Sequence, residues 1–330
     1  MKNIRILQIG LGPLGIKTAQ YIAERKGLIT VAAVDKSPAL IGKDLGQLAL
    51  GKKNRIIIKE NIAAAIKKQK PEVAVLTTVS DIKRIAPQIE EIVSFGIPVV
   101  STCEELSFPF KTAKRLANKI NKAATENNVA VIGTGVNPGY LMDSLPTVLT
   151  AVCQDVQKVE VNRFQDAKFR RLPFQKKIGA GLTLEEFDKK IENGSLRHVG
   201  LTESMQMIAH RMGWKLDKTE DIIFPVVAKR KITTPAMTIK KGDATGVRQE
   251  GNGYINGEIK IKLIFQATVG EKKSYDEVII SGTPNIHSKI NGGVNGDVAT
   301  CAITLNTIPQ ILRAAPGLKT MMDIPPVSFF

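Results

Sequence analysis

Three glycines at fixed spacing are the first residues in this chain whose types imply chemistry. Gly10-Leu11-Gly12-Pro13-Leu14-Gly15 follows a short apolar run and opens a helical pattern, and Asp35 stands 20 residues after Gly15. Glycine at the first position permits a tight turn. At the second it lets a phosphate approach backbone N–H groups, and at the third it lets helix and strand pack closely. Those N–H groups lie at a helix N-terminus, where the helix dipole favours an anion. A carboxylate ending the second strand can accept hydrogen bonds from ribose hydroxyls. The set predicts a bound dinucleotide, with NAD favoured because Asp35 repels a 2′-phosphate. Lys36 and Ser37 follow directly and could hold that phosphate if Asp35 turned aside, so NADP stays open.

A nicotinamide cofactor moves a hydride, and the protein must then supply orientation and a proton carrier. Glu104 is the first candidate, one residue past Cys103 at the end of the apolar run PVVST. A carboxylate there can serve as general acid and base; the alternative is that it opens the next helix, the role expected of Glu105. Cys103 could act as a thiolate, although nothing basic adjoins it, and a small strand-end filler is the simpler reading. His198, in SLRHVGL, is either a pocket residue or a polar loop residue. His210 falls inside a helical pattern and His287 in a loop-like stretch, and both read as structural. The three cysteines and three histidines are scattered, which argues against a disulfide framework or a metal site.

These residues need a scaffold, and the first half of the chain supplies one. Strand patterns at 3–9, Leu28–Val34, 73–78, 98–102 and 129–132 alternate with helical patterns at 13–26, 62–68, Ile82–Ser94 and 110–126. That alternation predicts an α/β Rossmann domain, a doubly wound parallel sheet with right-handed crossovers. Ligands of such sheets sit at the carboxyl ends of the strands. Thr77, Thr78, Thr102, Cys103, Asn137 and Pro138 are therefore expected beside the cofactor. From residue 138 the pattern changes. A long helix is expected at 138–152, a strand at 156–164, and a helix from Thr183 with Glu186 completing a capping box. Another helix is expected at 201–214, then β-hairpins from 221 to 282. In the last region Ile259, Ile261, Leu263 and Phe265 share one face and Lys260 and Lys262 the other. This predicts a second α+β domain with a mostly antiparallel sheet. A final helix at 298–312 is expected to return to the first domain. The expected layout is 1–137 with 298–330 as the dinucleotide-binding domain, and 138–297 as a substrate-binding and dimerisation domain.

Composition narrows the function. The 330 residues are 43% hydrophobic and 24% charged, as in ordinary globular chains. No apolar run suits a membrane span, and the N-terminus lacks a signal-peptide layout, so a cytoplasmic protein is expected. The net charge is +16, yet 34 of the 47 basic residues are Lys, spread over both halves, and aromatics are only 5%. A nucleic-acid protein would concentrate its charge and interleave aromatics. A Lys-rich solvated surface fits better, and neither nucleic acid nor membrane is expected as a partner.

The segments GLGPLG, STCEELSFPF, TGVNPGYLMDSLP, LPFQKKIGAGLTLEEF and INGGVNGD together resemble the 2,4-diaminopentanoate dehydrogenase family and the related native amine dehydrogenases. That resemblance implies the architecture of dihydrodipicolinate reductases, a homodimer, and NAD(P)-dependent oxidative deamination of an amine to a ketone and ammonia. The family's glutamate at the STCEEL position corresponds to Glu104. Asn137 to Tyr140 match the part near the nicotinamide, and Tyr140, Phe164, Phe174 and His198 fall in segments lining the amine pocket. Dihydrodipicolinate reductases carry adjacent histidines and similar sugar dehydrogenases carry Glu-Lys-Pro after this strand; neither feature is present here. Two alternatives remain: a dehydrogenase of the same architecture for another amine, ketone or amino acid, and a non-catalytic NAD-sensing regulator.

Overall fold

The computed structural model describes residues 3–168, 170, 172–235 and 237–330. The chain divides into two units, Met1–Tyr140 with Asn295–Phe330, and Leu141–Val294. These limits fall three residues from the expected 137/138 and 297/298.

In the first unit β1 (Ile4–Ile9), β2 (Leu28–Val34), β3 (Val73–Leu76), β4 (Val99–Ser101) and β5 (Ala130–Gly133) follow one another along the chain. Apart from Ile29 on the edge strand β2, their apolar residues are largely covered: Ile6, Leu7, Val73, Val75, Val99 and Val131 are wholly buried. Runs of this kind belong to parallel sheets covered on both sides. One cover is the helix Ile82–Ser94. It starts where the Asp81 side chain accepts from Arg84 N, and it buries Ile82, Ile85, Ile89 and Ile92 at helical spacing. β1 lies between β2 and β3, so the strand order reverses there. The crevice at that switch point opens at Gly10 and Thr77.

In the second unit β6 (Asp155–Asp166), β7 (Lys218–Val227), a small hairpin of β8 (Ile232–Thr233) and β9 (Thr238–Ile239), β10 (Ala244–Ile255), β11 (Glu258–Thr268), β12 (Tyr275–Thr283) and β13 (Ile286–Asn291) follow in turn. The main sheet has the order β13-β12-β6-β11-β10-β7. Every pair is antiparallel except β11 with β6. The helix Leu201–Arg211 lies on one face, where Gly251 has Leu201 and Met205 against it. The capping box forms as expected: Thr183 accepts from Glu186 N, and Glu186 accepts from Thr183 N at 2.9 Å.

The chain then returns to the first unit as the helix Gly296–Ile311, capped by Asn295, and as β14 (Gly317–Lys319). β14 pairs with β5 and completes a six-stranded, all-parallel sheet in the order β14-β5-β4-β3-β1-β2.

Two helix expectations are corrected. Residues 138–143 are turns, not the start of a long helix; only Ser144–Leu149 is α-helical, followed by a short 3-10 turn. Gly139 adopts φ +121°, which no right-handed helix contains, and Asp143 restarts the backbone by accepting from Ser144 N at 2.6 Å. The pattern at 110–126 is broken at Ala113, whose φ of −142° separates Pro109–Thr112 from Lys114–Glu126.

Candidate active site

In the first unit the glycine turn is built by close contacts. A Cβ on Gly15 would lie 2.0 Å from Gly10 O, and one on Gly10, at φ +84°, would lie 2.7 Å from Thr77 O. Gly12 differs, because its Cβ direction meets nothing within 4 Å. It stands at the N-terminus of the helix Pro13–Glu24, which has no side-chain cap and no acid in its first turn. Open space before an uncapped helix N-terminus is what a pyrophosphate requires. A cavity of about 400 Å³ adjoins it, with Gly10, Gly12, Asp35, Lys36, Thr78 and Arg84 in its wall. That is within the range of ligand pockets, so the residues present fit a dinucleotide.

Asp35 is positioned before any ligand arrives. Its Oδ2 accepts from Leu11 N at 2.6 Å and its Oδ1 from Ser37 N at 2.7 Å. Each oxygen keeps a lone pair for a ribose hydroxyl. Replacing Asp35 with Ser removes the charge that repels a 2′-phosphate. The ratio of kcat/KM with NADP to that with NAD should then rise about 10- to 100-fold, the worth of one hydrogen bond to a charged group. Unmodified enzyme that already turned over NADP much faster than NAD would contradict this role.

The threonines of β3 divide their work. Thr77 Oγ1 donates to Gly10 O at 2.8 Å and accepts from Gln8 Nε2 at 3.0 Å. Its side chain therefore braces the turn, while Thr78 is exposed and lines the cavity. Sequence reasoning missed Gln8, which is wholly buried and also donates to Gly10 O. The available signal was a lone polar residue within an apolar strand. Arg84 and Gln88 were missed too; they add to the cavity wall from one face of the helix Ile82–Ser94.

Just past β4 the two glutamates separate in role. Glu105 Oε2 accepts from Ile82 N at 2.9 Å, so this acid serves the first turn of a neighbouring helix rather than its own. Glu104 opens the 3-10 turn Glu104–Leu106, where its carbonyl accepts from Ser107 Oγ at 2.7 Å. Its half-buried carboxylate makes no hydrogen bond among the described residues. Cys103 is 1% exposed in the apolar core, and burial with the Glu104 charge beside it pushes its thiol up. A thiolate nucleophile is thereby excluded. Thr102 is half-buried, with its N–H given to Leu76 O. Asn137 is nearly buried at a cis bond to Pro138, and Tyr140 is 37% exposed.

In the second unit β-sheet register separates two of the predicted pocket residues. Arg163 pairs with Phe265 and Phe164 with Gln266, so Phe164 and Phe265 point to opposite faces. The His198 ring packs on Phe265, with centroids 4.4 Å apart. Phe164 stacks on Tyr275 across the other face at 4.9 Å. The two therefore do not line one pocket, a correction that only strand register reveals. Phe174 lies under the Arg170 guanidinium, 4.1 Å from its ring centroid, on the short helix Leu172–Lys177. The His198 imidazole is crowded although the residue as a whole is half-buried. Burial pushes it down to about 3, helped by Lys177, Arg163 and Arg197 and opposed by a hydrogen bond to the Val199 backbone. Desolvation of this kind favours the neutral ring. Among the described residues no group of His, Cys, Asp or Glu could hold a metal ion, and no helix is long and apolar enough to cross a membrane.

The crevice at the switch point and the open glycine turn beside it suit an NAD(P) cofactor, the equipment of an oxidoreductase. The sequence pattern of the 2,4-diaminopentanoate dehydrogenase C-terminal domain matches residues 140–329. Across 98% of its length the chain is 33% identical to the 2,4-diaminopentanoate dehydrogenase of Acetoanaerobium sticklandii, covering 94% of that protein. The chain belongs to the 2,4-diaminopentanoate dehydrogenase family. It is also 21% identical to an amine dehydrogenase of Streptomyces virginiae, over 96% of this chain and 94% of that one. An amine dehydrogenase structure from Mycobacterium smegmatis shares the fold, with a TM-score of 0.86 at 20% identity over 100% of this chain and 98% of that one. A dihydrodipicolinate reductase from Paenisporosarcina shares it more distantly, with a TM-score of 0.53 at 13% identity over 96% and 97% of the two chains.

Proposed function

We propose that the protein catalyses oxidative deamination of 2,4-diaminopentanoate at its C4 amine, giving 2-amino-4-oxopentanoate and ammonia. The observation that carries this reading is Glu104, a carboxylate at the mouth of a nucleotide-binding sheet that takes no hydrogen bond among the described residues, beside a glutamate that is held by a helix. An amine must be neutral before its carbon can release hydride, and Glu104 takes that proton. Bound NAD supplies the hydride acceptor. The substrate is left as an iminium; Glu104 passes its first proton to solvent and, again a carboxylate, removes a proton from water as the water oxygen adds to that carbon. Glu104 then returns that proton to the carbinolamine nitrogen, the C–N bond breaks, ammonia leaves, and the hydroxyl proton is lost as the ketone forms. Run backwards, the same carboxylate serves reductive amination. The glycine turn and Asp35 bind and orient the dinucleotide, and Asn137, Pro138 and Tyr140 belong to the nicotinamide end.

The same reading makes the protein a cytoplasmic homodimer. Supporting the dimer is the sheet face that carries Phe164 and Tyr275, where Phe224 stands in register with Arg248 and is 43% exposed. Sedimentation velocity at micromolar concentration reads the dimer, and a monomer would count against it. A screen for NADH formation with a panel of amines tests the activity; the absence of NADH with every amine would favour a sensor.

A further inference from the structure

We propose that Arg84 holds the adenine of the bound dinucleotide, its guanidinium lying over one face of the base while Ile62 closes the other. Every residue involved belongs to the first unit. The role rests on the dinucleotide reading and is independent of which amine is oxidised.

The place of the base follows from the parts of the cavity already assigned. The pyrophosphate belongs at Gly12, where the helix N-terminus is open, and the ribose at Asp35, whose two oxygens are fixed. A base on that ribose leaves the turn and enters the rest of the cavity, which two segments wall. One is 60–62, tied to the end of β2: Lys59 N donates to Ala33 O at 2.9 Å, and Asp35 N donates to Lys59 O at 3.1 Å. Asn61 then caps the short helix Ile62–Ile66 by accepting from Ala64 N at 2.9 Å, and Ile62 is only 4% exposed. The other is the helix Ile82–Ser94, which brings Arg84 and Gln88, one turn apart, to the cavity wall. Thr78 Oγ1 donates to Gln88 Oε1 at 2.9 Å and Gln88 Nε2 donates to Arg84 O at 2.9 Å, so this face of the helix is latched to the end of β3.

The Arg84 backbone is engaged, its N–H donating to Asp81 Oδ1, but its exposed guanidinium makes no hydrogen bond or ion pair among the described residues. A free guanidinium is a flat cation, and such a group stacks on the face of a π system. The remaining charged side chains of the wall decide between a base and a phosphate as its partner. Asp35, Glu60 and Glu91 outnumber Lys36 and Arg84 there. A 2′-phosphate would add negative charge beside Asp35, whereas a neutral base adds none. The acids can also accept from the exocyclic amine of adenine.

The test is calorimetric titration of the whole protein, without turnover, against NAD, ADP-ribose, NADP and nicotinamide cytosine dinucleotide, whose smaller base offers less face. Arg84→Ala should weaken NAD and ADP-ribose alike by about 3- to 30-fold, the range of a cation–π contact. It should weaken the cytosine dinucleotide by less, so that the preference for adenine over cytosine falls. Alanine keeps the helix and the backbone bond to Asp81, so the fold should be unaffected. Lys83→Ala removes an exposed neighbour outside the cavity wall and should leave all four affinities unchanged. Unchanged affinity for NAD in Arg84→Ala, an equal loss for the adenine and cytosine dinucleotides, or a loss confined to NADP would each overturn the stacking role. Unmodified protein that binds neither NAD nor ADP-ribose would instead overturn the dinucleotide reading on which the role rests.

Discussion

Glu104→Gln is expected to bind NAD normally and to oxidise amines at least about 10²-fold more slowly, the lower end of the range for a lost general acid–base. Glutamine keeps the size of the side chain but cannot hold the proton that the amine and then water must give up. The loss should fall on kcat, because proton transfer belongs to the transition state rather than to ground-state binding. NAD affinity should hold, since Gly12 and Asp35 are untouched; fluorescence titration reads it. Glu105→Gln is the control. Its carboxylate accepts from Ile82 N, so its loss should cost about 0.3–1 kcal/mol of stability at a helix N-terminus and little turnover. Near-normal turnover in Glu104→Gln, or an equal collapse in Glu105→Gln, would move the proton carrier elsewhere.

The largest effect on stability is expected in the second unit, at a buried ion pair. Arg163 Nη1 and Asp276 Oδ1 are 3.1 Å apart, with side chains only 2% and 5% exposed. Arg163 Nη2 also donates to Val294 O at 3.0 Å, and Val294 N donates to Asp276 Oδ2 at 2.7 Å. Burial pushes the Asp276 carboxyl up and the Arg163 guanidinium down, so each charge is held against its own desolvation by the other. Asp276→Ala leaves a buried cation unpaired and should cost about 3–5 kcal/mol, read from the urea midpoint. The double replacement Arg163→Met with Asp276→Leu removes both charges and should recover most of that loss. A cost below about 1 kcal/mol for the single change, or a double variant weaker than the single, would contradict this account.

What the sequence could express depended on range. The glycine turn, the β1–β3 alternation and the Thr183 capping box are local patterns, each set by residues within one or two elements, and the structure contains all three. The three-residue strand Gly317–Lys319 was not legible, because so short a segment shows no period. Turns at 138–143 were hidden by a composition that also suits a helix. Gln249 was invisible for another reason. Its partner His198 is 51 residues away, and a buried amide betrays its purpose only when strand register brings the two together. The same register moved Phe164 away from His198, which no reading of residue types could foresee.

Release of ammonia from an amine carbon, with Glu104 as proton carrier, is the reaction proposed for this dehydrogenase. The most direct measurement follows NADH and ammonia together while the enzyme consumes 2,4-diaminopentanoate in the presence of NAD. One NADH and one ammonia are expected for each substrate molecule, and no ammonia when NAD is withheld. NADH formed without ammonia, or ammonia released without NAD, would contradict it.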